Sequence, residues 1–151
     1  MDQADIAKFV AASLGATPFV QSLGGEVLEA SKGFGRARLP YAPHLVGDPK
    51  TGVIHGGVIT TMLDQTCALA VVSALNTFIP FATLDLRIDY MKPAEPYRDI
   101  FLEAECLKIG REVAFTRGIA YQTSRDAPIA LSTGAFMLMR SQLGEPAKPE
   151  S

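Results

Sequence analysis

The sequence predicts an α+β fold, an antiparallel sheet wrapped around one long central helix. Three observations carry this expectation. The stretch Gly52 to Asn76, GVIHGGVITTMLDQTCALAVVSALN, opens with a glycine-flanked turn and continues as an almost entirely apolar run of helical length. A helix that is apolar nearly all round has to be buried, so the other elements must surround it. Two strand-like segments precede the helix and four follow it, with no βαβ alternation that would call for a parallel doubly wound sheet. The 151 residues also suit a single domain with its own core.

Taken in order, Asp5 to Ala12 shows helical periodicity through Ile6, Phe9 and Val10, and Gly15 and Pro18 end it. This short helix is expected on the outside of the domain or over a pocket mouth. Val20 to Ala30 and Phe34 to Leu39 read as two strands joined by the turn Ser31, Lys32 and Gly33, with a bulge at Gly24 and Gly25. Alternation puts Arg36 and Arg38 on one face, toward solvent. Pro40, Pro43, Gly47 and Pro49 make the next segment a long irregular loop, a kind usually functional or disordered. After the helix, Phe81 to Tyr90 sets Ala82, Leu84, Leu86, Ile88 and Tyr90 on one face and Thr83, Asp85, Arg87 and Asp89 on the other. Pro93 and Pro96 end that strand. Ile100 to Lys108, Val113 to Tyr121 and Ile129 to Arg140 complete a meander-like succession of four. The domain is expected to span 1–143, and the last residues, GEPAKPES (144–151), read as a frayed tail. A sheet covering only one helix leaves its edges to manage, which invites self-association.

The net charge of −2 provides no electrostatic footprint for nucleic acid, although a small basic patch for a phosphorylated ligand is compatible with it. Cys67 and Cys106 have neither metal nor disulfide-framework spacing; Cys67 reads as a core filler, and a reduced, cytoplasmic setting is expected. The first residues carry acids and no basic region, unlike a secretory signal. The longest uncharged run, Gln65 to Leu84, contains polar residues and Pro80, so a core helix followed by a turn is expected, and no membrane span.

Two features of the central stretch carry chemistry. His55, Gly56 and Gly57 open the helix, where the first N–H groups lack intrahelical partners and the positive end of the dipole lies. Such a site binds a carbonyl oxygen and stabilises an oxyanion better still; a simple helix start with a packed histidine is the plainer reading. Asp64, an acid in an apolar helix, is costly unless hydrogen-bonded or used. It lies nine residues after His55, roughly 13 Å along the axis and on roughly the opposite side. If both act in one reaction, each must serve a site shared with a second copy across a two-fold axis. Thr60, Thr61, Gln65 and Thr66 are nearby hydrogen-bonding partners.

HGGVITTMLD, then TLDLRIDYMKPA, then KIGREVAFTRGIAY together resemble the hotdog-fold thioesterases of the phenylacetate-pathway (PaaI-like) type, from about Gly47 to Leu138. The resemblance implies a hotdog fold, dimers joined edge to edge and often paired into homotetramers, and hydrolysis of acyl-coenzyme A thioesters with no metal and no cofactor beyond the substrate's own CoA. It implies that Gly56 donates its N–H to the thioester carbonyl with His55 supporting it. It also implies that Asp64 of the partner subunit is general base or nucleophile, and that Thr83 lies near the attacking water. Many relatives have an Asn upstream of the HGG motif; here Asp48 stands about there, and an ionised Asp accepts but does not donate.

The substrate's contacts are then expected at Asp48, Gly57, Lys92, Lys108 and Arg111, with Arg117 a further cation for the phosphates. Met62, Phe78, Phe81 and Met137 are candidates for an apolar slot, though core packing suits most of them. A small-to-medium or aryl acyl group is expected. Two other activities use similar residues. A hotdog hydratase or dehydratase would use His55 and Asp64 as an acid–base pair, and a non-catalytic acyl-CoA-binding module would have no need of Asp64.

Overall fold

The computed structural model of the chain describes residues 16–75, 77 and 79–140, together with Asp5, Lys8 and Ala12, which are helical. The rest of the expected N-terminal helix, Phe78 and the tail lie outside the described residues.

Pro18 opens helix α1 (Pro18–Leu23), and Gly24 closes it at φ 76° with its N–H returned to the Gln21 carbonyl. The expected strand over Val20 to Ala30 is therefore helix as far as Leu23. Proline at a first helical position and a left-handed glycine just past the end outweigh the apolar run between them. Strand β1 (Glu26–Ser31) starts later, and its irregularity falls between Val27 and Glu29, not at Gly24 and Gly25. Strand β2 (Phe34–Leu39) has the expected bounds. The segment after it is not an irregular loop. It forms a 3-10 turn (Pro43–Leu45) and a small hairpin of β3 (Val46–Asp48) and β4 (Val53–Ile54), which delivers the chain to helix α2 (Gly56–Ala74).

Four strands follow: β5 (Phe81–Tyr90), β6 (Ile100–Ile109), β7 (Val113–Tyr121) and β8 (Ala130–Leu138). The six long strands form one antiparallel sheet in the order β1-β2-β6-β7-β8-β5. The expected meander holds for β6, β7 and β8 only. Strand β5 lies at the far edge beside β8, because the connection after it contains Pro93 and Pro96 and cannot fold back as a hairpin. It crosses the end of the sheet instead and places β6 beside β2.

Helix α2 lies across β2, β6 and β7, with Leu63, Cys67, Ala70, Val71 and Val72 fully buried. Small inward residues on these strands let the sheet come close. At Gly35 an added methyl would stand 2.9 Å from the Thr66 carbonyl oxygen. By length and composition α2 is long and apolar enough to cross a membrane, but here it is the wrapped core. Its first half is less covered, leaving Thr60, Thr61, Asp64 and Gln65 half-buried. On the outer face Arg36 is not a free solvent charge: it leans on buried Glu103, which also accepts a 2.7 Å hydrogen bond from the Tyr121 hydroxyl.

Candidate active site

Strand β4 passes into α2 through His55, whose extended backbone makes it the N-cap. Its ring Nδ1 accepts the Gly57 N–H at 2.9 Å, the task usually given to a Ser, Thr, Asp or Asn oxygen. Two glycines make room for the imidazole. A methyl on Gly47 would come within 3.0 Å of the His55 backbone and 3.4 Å of its ring, and one on Gly57 within 3.0 Å of Nδ1. The His55 N–H is tied to the Leu45 carbonyl at 2.9 Å.

Both peptide units flanking the Gly56 Cα are fixed. The His55 carbonyl accepts the Val58 N–H at 3.0 Å. The Gly56 carbonyl accepts the Tyr90 hydroxyl at 2.7 Å and the Thr60 hydroxyl at 3.2 Å, and those two hydroxyls also touch each other. Among the described residues the Gly56 N–H alone of this group meets no acceptor. Gly56 lines an open cleft of about 440 Å³, walled by Val53, Ile54, Ile59, Tyr90, Lys92 and Ala94 among others. A rigid donor at the positive end of a helix suits an oxygen that gains negative charge during reaction.

Asp64 lies two turns further on, about 12 Å from Gly56 along the axis. The Thr83 hydroxyl donates to its Oδ1 at 2.9 Å. Burial pushes the Asp64 carboxyl above its ordinary range, and the Thr83 hydrogen bond opposes the shift in part. Thr83 reaches the helix only because of a bulge between Thr83 and Asp85, where Leu84 is left over. Before it, Phe81 and Thr83 point inward; after it, Leu86, Ile88 and Tyr90 do. The single alternating face expected for Ala82 to Tyr90 is thus broken in two, and Ala82 and Leu84 are exposed.

The structure brings His55, Gly56, Gly57 and Lys92 together and sets Asp64 and Thr83 apart from them as a second group. Asp48 stands in the hairpin beside His55, with its carboxylate accepting the Lys50 N–H at 2.9 Å and its carbonyl accepting Gly52 at 2.9 Å. Lys108 and Arg111 lie at the opposite end of the sheet from Gly56, where Arg111 shares a depression of about 750 Å³ with Met137 and Arg140. Arg117 is paired with Glu105 at 3.0 Å. Met62 is buried and Phe81 packs edge-on against Phe136, so both belong to the core, whereas Met137 is exposed. Tyr90 is the residue the sequence did not single out for the site. The available signal was a tyrosine closing a strand immediately before the Lys92-Pro93 break. Among the described residues no three His, Cys, Asp or Glu side chains converge as metal ligands.

Residues 51–128 match the thioesterase superfamily. The medium/long-chain acyl-CoA thioesterase YigI of Escherichia coli is 28% identical over 134 residues, 80% of this chain and 85% of that one. A solved protein of Pseudomonas aeruginosa is 45% identical and superposes with a TM-score of 0.80 over 89% of this chain and 99% of its own. The PaaI protein of the Escherichia coli phenylacetic acid degradation operon, 16% identical, shares the fold at a TM-score of 0.78 over 89% of this chain and 94% of its own.

Proposed function

The chain is a thioester hydrolase of the thioesterase superfamily, with the hotdog fold, and from that premise we propose that it cleaves acyl-coenzyme A at a site shared by two subunits. The observation that carries this reading is the Gly56 N–H, unpaired and open to the cleft while both adjoining peptides are held. The thioester carbonyl oxygen accepts this hydrogen bond. Asp64 of a second copy takes a proton from water as the water oxygen attacks the carbonyl carbon. The resulting oxyanion is held by Gly56 and the helix dipole. The C–S bond then breaks, the sulfur takes from Asp64 the proton that came from water and leaves as the CoA thiol, and the free acid remains. Burial raises the basicity of Asp64, which suits the base role proposed for it. Thr83 orients the carboxylate, and Lys92 is a cation for the ligand within the same cleft.

The open edge of the sheet at β5 supports the sharing. Strand β5 is a long edge strand with Leu84 and Tyr90 exposed, and Met91 is exposed just beyond its end. An antiparallel pairing with its own copy about a two-fold near the middle of the strand would bring the Thr83 end of one chain to the Tyr90 end of the other. Asp64 would then face the partner's helix start. Lys108 and Arg111, remote from Gly56 of their own chain, would lie toward the partner's cleft. On the outer face Phe115, Leu131 and Met137 are exposed and available to join dimers into a homotetramer. The acyl group proposed is small-to-medium or aryl.

The test is thiol release from acyl-CoAs of graded length by the wild type and by Gly56→Pro and Asp64→Asn. Proline is well tolerated at a first helical position and the extended His55 backbone suits a following proline, so the first change removes little beyond the N–H. A fall of about 10²–10³-fold in kcat is expected for it. Mixing the two inactive variants and allowing exchange should restore about a quarter of the sites by random pairing in dimers. Absence of thiol release from every acyl-CoA sinks the thioesterase assignment; absence of recovery in the mixture sinks the shared site.

A further inference from the structure

We infer that Tyr97 is the platform on which the purine base of the substrate's nucleotide stacks, an inference that rests on the acyl-CoA reading above. Among the described residues only Lys32 and Tyr97 have positive φ without being glycine. Lys32 sits in a two-residue hairpin turn between β1 and β2, where that conformation is ordinary. Tyr97, at φ 62°, is a bulky aromatic in a connecting segment, where the left-handed conformation is a strained outlier. Its ring is not repaid by burial, since 79% of the residue is exposed, more than any other large apolar side chain among the described residues.

The surroundings hold that ring in place. The Tyr41 ring lies against it at 5.2 Å and 52°. Tyr41 is itself fixed by its hydroxyl on the Gly52 carbonyl at 2.9 Å and its N–H on Asp99 Oδ1 at 3.0 Å. The tip of the β3–β4 hairpin is pressed beneath: a methyl on Gly52 would meet the Tyr41 hydroxyl at 3.2 Å, the Tyr97 hydroxyl at 3.3 Å and Pro96 at 3.4 Å.

The position is continuous with the cleft. Val53 and Ile54, the next residues of that hairpin, form one cleft wall with Gly56 at its end. Residues Tyr90 to Ala94 form the other, and the same segment runs on to Tyr97. A thioester held at Gly56 therefore has an outward path that ends at the Tyr97 ring. Beyond the ring lies a second open depression, of about 560 Å³, lined by Arg98, Phe101 and Gln122 among others. Arg98 is occupied by Glu95 at 2.7 Å and Thr123 at 3.2 Å, so the chemistry presented here is that of a π-face more than of a phosphate cradle. Every purine offers the matching face.

Steady-state kinetics with two thioesters of the same acyl group, acyl-CoA and nucleotide-free acyl-pantetheine, test this. Tyr97→Ala should raise KM for acyl-CoA roughly tenfold and leave kcat unchanged, since stacking remote from the carbonyl is uniform binding. Its KM and kcat for acyl-pantetheine should match the wild type. Tyr97→Trp should keep wild-type KM for both substrates. Tyr97→Gly should show the kinetic loss of the alanine variant with a Tm above that variant's, because glycine relieves the left-handed backbone that alanine keeps. If the wild type cleaves both thioesters and Tyr97→Ala alters them equally or not at all, the platform is overturned and the thioesterase reading stands. If the wild type cleaves neither, the thioesterase reading fails and the platform falls with it.

Discussion

Thr83 and Tyr90 stand seven residues apart on one strand, yet their hydroxyls bond to the same helix, to Asp64 at 2.9 Å and to Gly56 at 2.7 Å. An odd separation on a regular strand puts two side chains on opposite faces. The extra residue at Leu84 restores them to one face, so a single bulge supplies contacts to both halves of the site.

Deleting Leu84 should remove that correction. Either Thr83 or the Leu86–Tyr90 segment must then turn outward, and kcat/KM should fall by about a hundredfold or more, as expected when reacting groups are misplaced by an ångström or so. Circular dichroism should still report the sheet, because both ends of β5 keep β-forming residues. Wild-type kinetics in the deletion variant would show the bulge to be incidental.

The acid limb of the kcat/KM profile should belong to Asp64. A buried carboxylate with raised pKa holds its proton to higher pH than an exposed one, so activity should fall on acidification above the usual carboxylate range. Thr83 donates to the ionised form and lowers the pKa; removing it in Thr83→Ala should move the limb further toward neutral pH. A limb that stays put in this variant would assign it to another group.

Asp64→Asn should be inactive and more stable. Because the folded pKa is raised above the unfolded value, ionising Asp64 costs folding free energy at every pH above the folded pKa. That cost vanishes once the pH falls below the unfolded value of about 3.9. The variant's Tm should therefore exceed the wild type's at pH 7, with the difference closing toward pH 4, while kcat drops about 10²–10⁴-fold. A lower Tm at pH 7 would mean that the carboxylate is favoured by its surroundings.

Tyr90→Phe should leave the fold intact and the cleft shape nearly unchanged. The Gly56 carbonyl would lose one of its two side-chain donors and keep the Thr60 hydroxyl. Loss of one hydrogen bond of about 1 kcal/mol predicts a fall in kcat of roughly five- to tenfold with little change in KM. An equal loss in KM and none in kcat would place Tyr90 among binding contacts only.

Much of this was legible from residue order. Strands β5 and β7 have the bounds that alternation and flanking Pro or Gly residues imply, and the distance between His55 and Asp64 follows from helix geometry alone. The features that escaped share a cause, which is that neighbours far away in sequence decide them. Ala82, Leu84 and Leu86 alternate as well without a bulge as with one, so only pairing with β8 reveals it. The edge position of β5 is likewise a non-local choice. Val20 to Leu23 resembles a strand start until Pro18 and Gly24 are weighed as a six-residue bracket. Tyr90 looks like one more strand-face residue because its partner, a main-chain carbonyl, leaves no mark in the sequence.

The His55 imidazole fills the space left between Gly47 and Gly57. In a mutational scan His55 and Gly57 should not vary independently. A methyl at Gly57 meets only the ring, so once the ring is gone it should cost little; a methyl at Gly47 also meets the His55 backbone at 3.0 Å and should stay costly. His55 and Gly57 should therefore show sign-consistent epistasis, with the double variant less impaired than the sum of the singles, whereas Gly47 should remain intolerant in either background. Sequence libraries aimed at this cleft would do well to treat His55 and Gly57 as a single locus.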